Sequence, residues 1–324
     1  MTIRRRTLIT ASAAMVAMPA LRAQTFPGGP IRIIVGFPPG GGTDILARAL
    51  APRLQDIWKT SVVVENKAGA AGVLAADYVA KQPADGNTLL MAHINSHAIA
   101  PALNPKLTYN PEADFAPIVL VGVTPNLLIC NPDQPAKTIK DLVVLCRARP
   151  GHVTFGSSGP ASAQHLALEL FKFQAKVFAL HIPYRGSGPL ITDLIGGQVM
   201  YSFETMTAAT PHVKGGRVLA VAQTRPQRSK AYPNVPTVAE EGFPGFDATT
   251  WYGLAAPGKV APAIVKRMNE DVNRVLALPE TIERLAASGA EDSGGTPERF
   301  GDFMRSERSK YAKLVKDAAI KIDS

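Results

Sequence analysis

The segment Phe37-Pro-Pro-Gly40-Gly41-Gly42-Thr43-Asp44 joins a continuous apolar run, Ile31 to Phe37, to a stretch in which Ile45, Leu46, Ala49, Leu50 and Leu54 recur at helical spacing. Three glycines let the backbone approach a ligand closely, and a helix start presents N–H groups with no intrahelical partner. Such a terminus binds anions. No Gly-Lys-Ser/Thr follows, so the loop is not a P-loop, and the Gly-x-Gly-x-x-Gly spacing of a dinucleotide site is missing. Asp44 suits the positive end of the helix but opposes an anion there, so it is expected to bond its own loop or a neutral or cationic part of a ligand. A second loop, Phe155-Gly-Ser157-Ser158-Gly159-Pro-Ala-Ser162, has the same strand-to-helix design and offers hydroxyls as well as N–H groups. Thr43 and Ser162 are also natural N-cap residues. Ser158 does not stand in a Gly-x-Ser-x-Gly nucleophile elbow. The two loops are expected to face each other across a cleft, a geometry suited to a small dicarboxylate or an acid with a second polar end.

In a third segment, His181-Ile-Pro-Tyr184-Arg185-Gly186-Ser187, Tyr184 offers an apolar wall and a hydroxyl, and Arg185 is either a bidentate carboxylate partner or a surface residue. His93 and His97 have i, i+4 spacing but follow a strand without the Glu of a zinc motif, so no metal site is expected. No Ser-His-Asp or Cys-His arrangement stands out. Cys130 and Cys146 are expected to be buried thiols, with a disulfide as the alternative in an exported protein.

The elements that position these loops alternate. Strand-like runs at 31–37, 61–65, 88–92 and 118–129, the last interrupted near Thr124-Pro125, are spaced by helices at 44–54 and 72–81. The rhythm restarts with a capping box at Thr138-Ile-Lys-Asp141, then strands at 153–156, 179–183, 199–203 and 218–222 with helices at 162–174 and 187–196. A second capping box, Thr237-Val-Ala-Glu240, precedes a strand at 251–255 and two C-terminal helices, 262–276 and one starting at Thr296-Pro297. This is an α/β chain with largely parallel sheets. Residues 24–124 with 248–324 are expected to form one lobe and 125–247 an inserted second lobe; two crossings between lobes support hinge closure around a ligand.

The first 23 residues carry Arg4, Arg5 and Arg6, an apolar stretch from Leu8 to Leu21 and Ala-Leu-Arg-Ala at the end. That pattern reads as a cleavable signal peptide, with Arg5-Arg6-Thr7-Leu8 compatible with the twin-arginine route. The apolar run is shorter than the roughly 20 residues a bilayer requires. The net charge of +9 includes four arginines in that leader, leaving about +5 in the mature chain, scattered rather than striped with aromatics. Nucleic acid is therefore not an expected partner.

These residues carry a resemblance. The chain resembles the periplasmic receptors of tripartite tricarboxylate transporters, the Bug or TctC type, in IRIIVGFPPGGGTD (31–44), VVENKAGAAG (63–72), PADGNTLL (83–90), HIPYRGSGPLITDLIGGQV (181–199), RSKAYPNVPTVAEEGFPGF (228–246) and TTWYGLAAP (249–257). The resemblance implies a type II periplasmic-binding-protein fold with a ligand cleft between two lobes. It implies ligands such as di- or tricarboxylates, acidic amino acids or aromatic acids, no cofactor, no metal, membrane permease subunits as partners, and a monomer. Ligand residues carried over by position are Gly41, Gly42, Thr43 and Asp44, then Asn66 and Gly69, then Ser157, Gly159, Ser162 and His165, with Tyr184 and Gly186. The family's usual Phe-Asp-Asn is replaced by Phe203-Glu204-Thr205, which adds Glu204 to the candidate pocket and changes its chemistry.

The reading is an exported solute receptor without catalysis. A sensor module lacking a dedicated permease would have the same binding chemistry. An exported hydrolase would need a nucleophile with a base, or a metal, and none is legible.

Overall fold

The computed structural model describes residues 26–317 and 320; the expected signal peptide lies outside them. In chain order the strands are β1 (Ile31–Val35), β2 (Val62–Asn66), β3 (Thr88–His93), β4 (Phe115–Cys130), β5 (Thr154–Ser157), β6 (Leu180–Pro183), β7 (Tyr201–Thr205), β8 (Leu219–Gln223) and β9 (Thr249–Pro257). The helices are α1 (Gly42–Trp58), α2 (Val73–Ala80), α3 (Ala100–Leu103), α4 (Ile139–Ala148), α5 (Ala163–Ala175), α6 (Ser187–Ile195), α7 (Met206–Lys214), α8 (Pro262–Leu276), α9 (Pro279–Ala287) and α10 (Pro297–Asp317).

Two sheets share one strand. The first runs β2-β1-β3-β9-β4, and the second places β8 and β7 on either side of the far half of β4, followed by β5 and β6. The three strands β1–β3 are parallel, as are β5, β6 and β7, which fits βα units. The expectation of largely parallel sheets holds only there: β9 is antiparallel to β3 and β4, and β4 is antiparallel to β7 and β8.

The interruption expected near Thr124-Pro125 does not exist; β4 is one strand of 16 residues. Pro125 is the last residue paired with β9, and from Asn126 the partners become β7 and β8. A proline removes a ladder donor, so it is tolerated where a strand leaves one sheet for another. The passage is stitched. Asn126 N–H donates to Thr224 Oγ1 (2.9 Å), its Nδ2 donates to the Ala248 carbonyl (2.9 Å), and Thr250 Oγ1 donates to Asn126 Oδ1 (3.1 Å).

Period-two alternation along β4 fills both faces of the second sheet. Leu128 and Cys130 join Phe155, Phe171, Tyr201 and Phe203 on one side, while Leu127 and Ile129 join Leu190, Leu194 and Met206 on the other. The first sheet is sandwiched likewise, by Leu46, Leu50, Met268 and Val272 on one face and by Ala75, Ala98 and Phe300 on the other. Cys130 and Cys146 are free thiols on the second core, and burial pushes each up to about 11. Among the described residues no helix is long and apolar enough to cross a membrane, and no cluster of three or more His, Cys, Asp or Glu has metal-holding geometry.

Candidate functional site

The first glycine loop leads from β1 into α1 with Gly41 at the N-cap and no side-chain cap. Thr43, an N-cap candidate by type, lies inside the helix and does not cap it; the turn closes one residue pair earlier because glycine accepts the extended cap conformation without a partner. Among the described residues the N–H groups of Gly42, Thr43 and Asp44 have no acceptor. Asp44 is committed to its own loop. Oδ2 accepts from Gly40 N–H (3.0 Å), and Oδ1 accepts from Arg48 Nε and Asn66 Nδ2 (2.9 Å each). Asn66 also donates to the Phe37 carbonyl, so it is a brace for the loop. Gly69 sits behind it, at φ 150°, where a Cβ would lie 2.4 Å from Leu74 Cδ1.

The second glycine loop leads into α5 differently. Ser162 caps the helix by accepting from His165 N–H at 3.2 Å. Asn95, from the segment after β3 in the other sheet, accepts the Ala163 N–H at 2.9 Å. Ala163 and Leu166 pack on the first-sheet core beside Ile94 and Trp251. This helix start is therefore already filled by protein, and the expected opposition of the two glycine loops as a pair of open anion sites is corrected. The reason is tertiary: Asn95 is 68 residues away in sequence.

The rest of the loop forms a polar stack. Ser157 Oγ is hydrogen-bonded to His181 Nε2 at 2.6 Å, and it also accepts from Gly159 N–H. His165 stacks on His181 with ring centroids 3.8 Å apart, and its Nδ1 accepts from Ala161 N–H. Its Nε2 faces Glu169 at 3.5 Å. Burial, then the neighbouring His165, pushes His181 down to about 4. Burial raises the Glu169 carboxyl while the interactions with His165 and then Lys172 lower it, and these win, holding it at about 2.

The open helix start that does meet α1 belongs to α6. Its N-cap is Gly186, again without a side-chain cap. Gly186 has φ +114°, and a Cβ there would lie 2.7 Å from Pro38 Cδ of the first loop. A Cβ on Gly41 would lie 3.9 Å from Ser187 Oγ, and one on Gly42 would lie 2.4 Å from the Tyr252 hydroxyl and 3.1 Å from Thr205 Oγ1. Glycines at 42 and 186 are what allow the approach to Thr205 and Pro38 here, whereas position 41 has room for a side-chain carbon. Tyr184 is half-buried beside this point; burial, then a hydrogen bond to Asp193, pushes its phenol up to about 12. Arg185 is exposed.

Glu204 is fully buried under this contact. Its Oε1 accepts from Thr205 N–H (2.7 Å), Gln164 Nε2 (3.0 Å), Ser187 Oγ (3.0 Å) and Thr205 Oγ1 (3.1 Å), while Oε2 has no partner. Burial pushes the carboxyl above its ordinary value. The starts of α5, α6 and α7 thus converge on one oxygen. Gln164, Ser187 and Tyr252 escape a sequence reading; Gln164 and Ser187 do stand in the first turn after the loops already singled out. A separate groove of about 740 Å³ between α8 and α10, lined by Val265, Lys266, Glu270 and Arg305 among others, includes none of these residues.

A two-lobed α/β scaffold with uncapped helix starts meeting between its sheets defines a solute-binding receptor, and the comparisons agree. The profile of the tripartite tricarboxylate transporter family receptor, TctC, matches residues 46–320. Protein BugT of Bordetella pertussis is 38% identical over 301 residues, covering 93% of this chain and 92% of BugT. The structure of R. palustris Rpa4515 with adipate superposes with a TM-score of 0.89 at 33% identity, covering 92% of this chain and 99% of that one. MatC from Rhodopseudomonas palustris with bound malate gives 0.85 at 31%, covering 90% of this chain and 100% of that one. The chain belongs to the tripartite tricarboxylate transporter receptor family of solute-binding proteins.

Proposed function

We propose that this protein captures a small carboxylate outside the cytoplasm and hands it to the membrane permease subunits of a tripartite tricarboxylate transporter, without catalysis. The observation that carries the reading is the meeting of two uncapped helix starts, α1 and α6, where backbone N–H groups need an acceptor. The adipate and malate of the two structural relatives are acceptors of that kind. Residues 24–124 with 248–324 are the first lobe and 125–247 the second, and the stitched passage at Asn126 is the hinge. Gly41, Gly42, Thr43 and Gly186 line the carboxylate position. Asp44, Asn66 and Gly69 hold the first loop; Ser157, Gly159, Ser162, His165 and Tyr184 shape the second-lobe wall. Residues 1–23 serve as the export signal, and the mature chain acts as a monomer.

Calorimetry of the mature protein against adipate, malate, succinate, citrate, aspartate and benzoate tests this. A saturable one-to-one response to at least one acid is expected. Silence across the panel sinks it.

A further inference from the structure

The end of the second lobe opposite the glycine loops carries an uncovered apolar surface. The loop at 157–162 leaves the carboxyl end of β5, whereas α4 and α5 each finish just before the amino end of the strand they feed, β5 and β6. Contacts join the parts of that far end. Arg147 of α4 donates from Nη2 to the Ala175 carbonyl at the close of α5 (3.1 Å). Lys172 Nζ stands 5.6 Å from the centroid of the Phe178 ring, and a Cβ on Gly151, in the turn after α4, would lie 3.5 Å from the same ring. Leu180 N–H donates to the Val153 carbonyl (2.8 Å) at the start of β6, the outermost strand of its sheet. Of the seven large apolar side chains exposed among the described residues, four lie here: Val144 (60%), Phe173 (56%), Phe178 (55%) and Leu180 (43%). Scattered singly they would need no explanation; gathered at one end they mark a contact surface.

The rim of this surface is basic. Arg147 and Arg149 close α4, and Lys172 and Lys176 close α5. The acid beside them, Glu169, is held by Lys172 Nζ at 2.7 Å, and Asp141 lies in the first turn of α4, at its other end. Cations suit the negative end of a helix, which accounts for where these charges stand but not for two bare phenyl rings among them. In the sequence the residues are spread between positions 144 and 180; the fold gathers them.

We propose that this end of the second lobe rests on an anionic lipid bilayer, with the Phe173 and Phe178 rings and Leu180 in the headgroup region and the four basic side chains on lipid phosphates. Apolar insertion and charge attraction are each weak alone and together give stable, reversible attachment. The aliphatic stems of Lys and Arg lie along apolar surface while their heads reach the phosphates. The apolar side chains project from two helices, a turn and an edge strand. A fluid interface adapts to such projections, whereas a protein partner has to match them in shape. The glycine loops, at the opposite ends of the same strands, stay clear of the membrane. Attachment of this kind holds a receptor at the surface in which a permease sits, so it extends the reading above, but it does not depend on an acid being bound.

The test is co-sedimentation of the mature protein with vesicles of phosphatidylglycerol and phosphatidylethanolamine, and with vesicles of phosphatidylcholine alone. The anionic vesicles are expected to bind about tenfold or more tighter than the neutral ones, and the binding to weaken as salt is raised. Arg149→Glu with Lys176→Glu is expected to cost about twenty-fivefold or more, about fivefold for each basic residue lost. Phe173→Ser with Phe178→Ser is expected to lose about tenfold without lowering the melting temperature, since both rings are exposed. Phe178→Trp should shift its emission to shorter wavelength when anionic vesicles are added. Ile282→Ser, an exposed apolar side chain of α9 in the other lobe, should change nothing. A wild type that ignores anionic vesicles, or holds neutral ones as tightly, overturns the proposal, as does either double variant binding as well as wild type. Patch variants that lose transport in cells while the wild type ignores vesicles assign the surface to a protein partner instead. Failure of every acid to bind sinks the receptor reading and leaves the vesicle result standing.

Discussion

The two glycine-rich loops, 37–44 and 155–162, look alike in sequence and end alike, each at the start of a helix. They do different work. The start of α1 is left bare: its cap is a glycine, and Asp44 turns back to brace the loop. The start of α5 is closed twice, by Ser162 within the loop and by Asn95 from the other sheet. The bare partner of α1 is α6, behind Gly186. A glycine-rich strand-to-helix turn is therefore necessary for an anion site but not sufficient; what decides is whether the protein has already supplied the acceptor.

Substitutions can break that contrast. The largest effect is expected from Gly42→Ala, which should fold, because alanine favours helix, yet places a methyl 2.4 Å from the Tyr252 hydroxyl. The same methyl lies 3.1 Å from Thr205 Oγ1 of the second lobe, so overpacking of up to about 3 kcal/mol falls on the contact between lobes and is expected to cost up to about a hundredfold in acid affinity by calorimetry. Gly186→Ala is next: its φ of +114° and its approach to Pro38 predict a loss of about tenfold, with a lower melting temperature. Ser162→Ala should act oppositely. It costs about 1 kcal/mol of stability in urea unfolding through the lost cap, and changes affinity by less than about threefold, because α5 is not an open anion site. A Ser162→Ala protein that lost binding as badly as Gly42→Ala would erase the distinction between the loops.

The smallest effect is the share of the acid-side pH dependence that comes from the second loop. His181 is held at about 4 in the fold, below the ordinary histidine value near 6.5, so the folded state favours its neutral form. That contribution is fully present above about 6.5 and is lost as pH falls through 4. The urea midpoint should therefore decline over this window, with the buried His93 and His97 adding to the decline, and His181→Gln should make it shallower.

Much of the architecture is legible in the residues. Apolar runs bounded by Gly and Pro locate the strands to within a few positions, and periodic Leu, Ile and Ala locate α1, α5, α6 and α8. Three features escape for stated reasons. β4 continues through Pro125 because the strand changes partners there, which no local pattern reports. α7 escapes because Thr-Ala-Ala-Thr-Pro211 has little helical stripe, although Thr205 caps it by accepting from Ala208 N–H. Thr237 and Glu240 form a reciprocal capping box, but no α-helix follows, because Gly242, Pro244 and Gly245 end the segment within a turn.

The sequence alone determined the βα rhythm, the glycines that permit close backbone approach, the family resemblance, and the acid at 204. These are local properties, set by side-chain type, spacing and backbone freedom. Only the tertiary structure decided which helix starts stay bare, because the acceptor that closes α5 comes from Asn95, 68 residues away. It also decided that Gln164, Ser187 and Thr205 spend their donors on one oxygen of Glu204 and leave the other unpaired, since that arrangement exists only once three helix starts and the end of β7 are packed together.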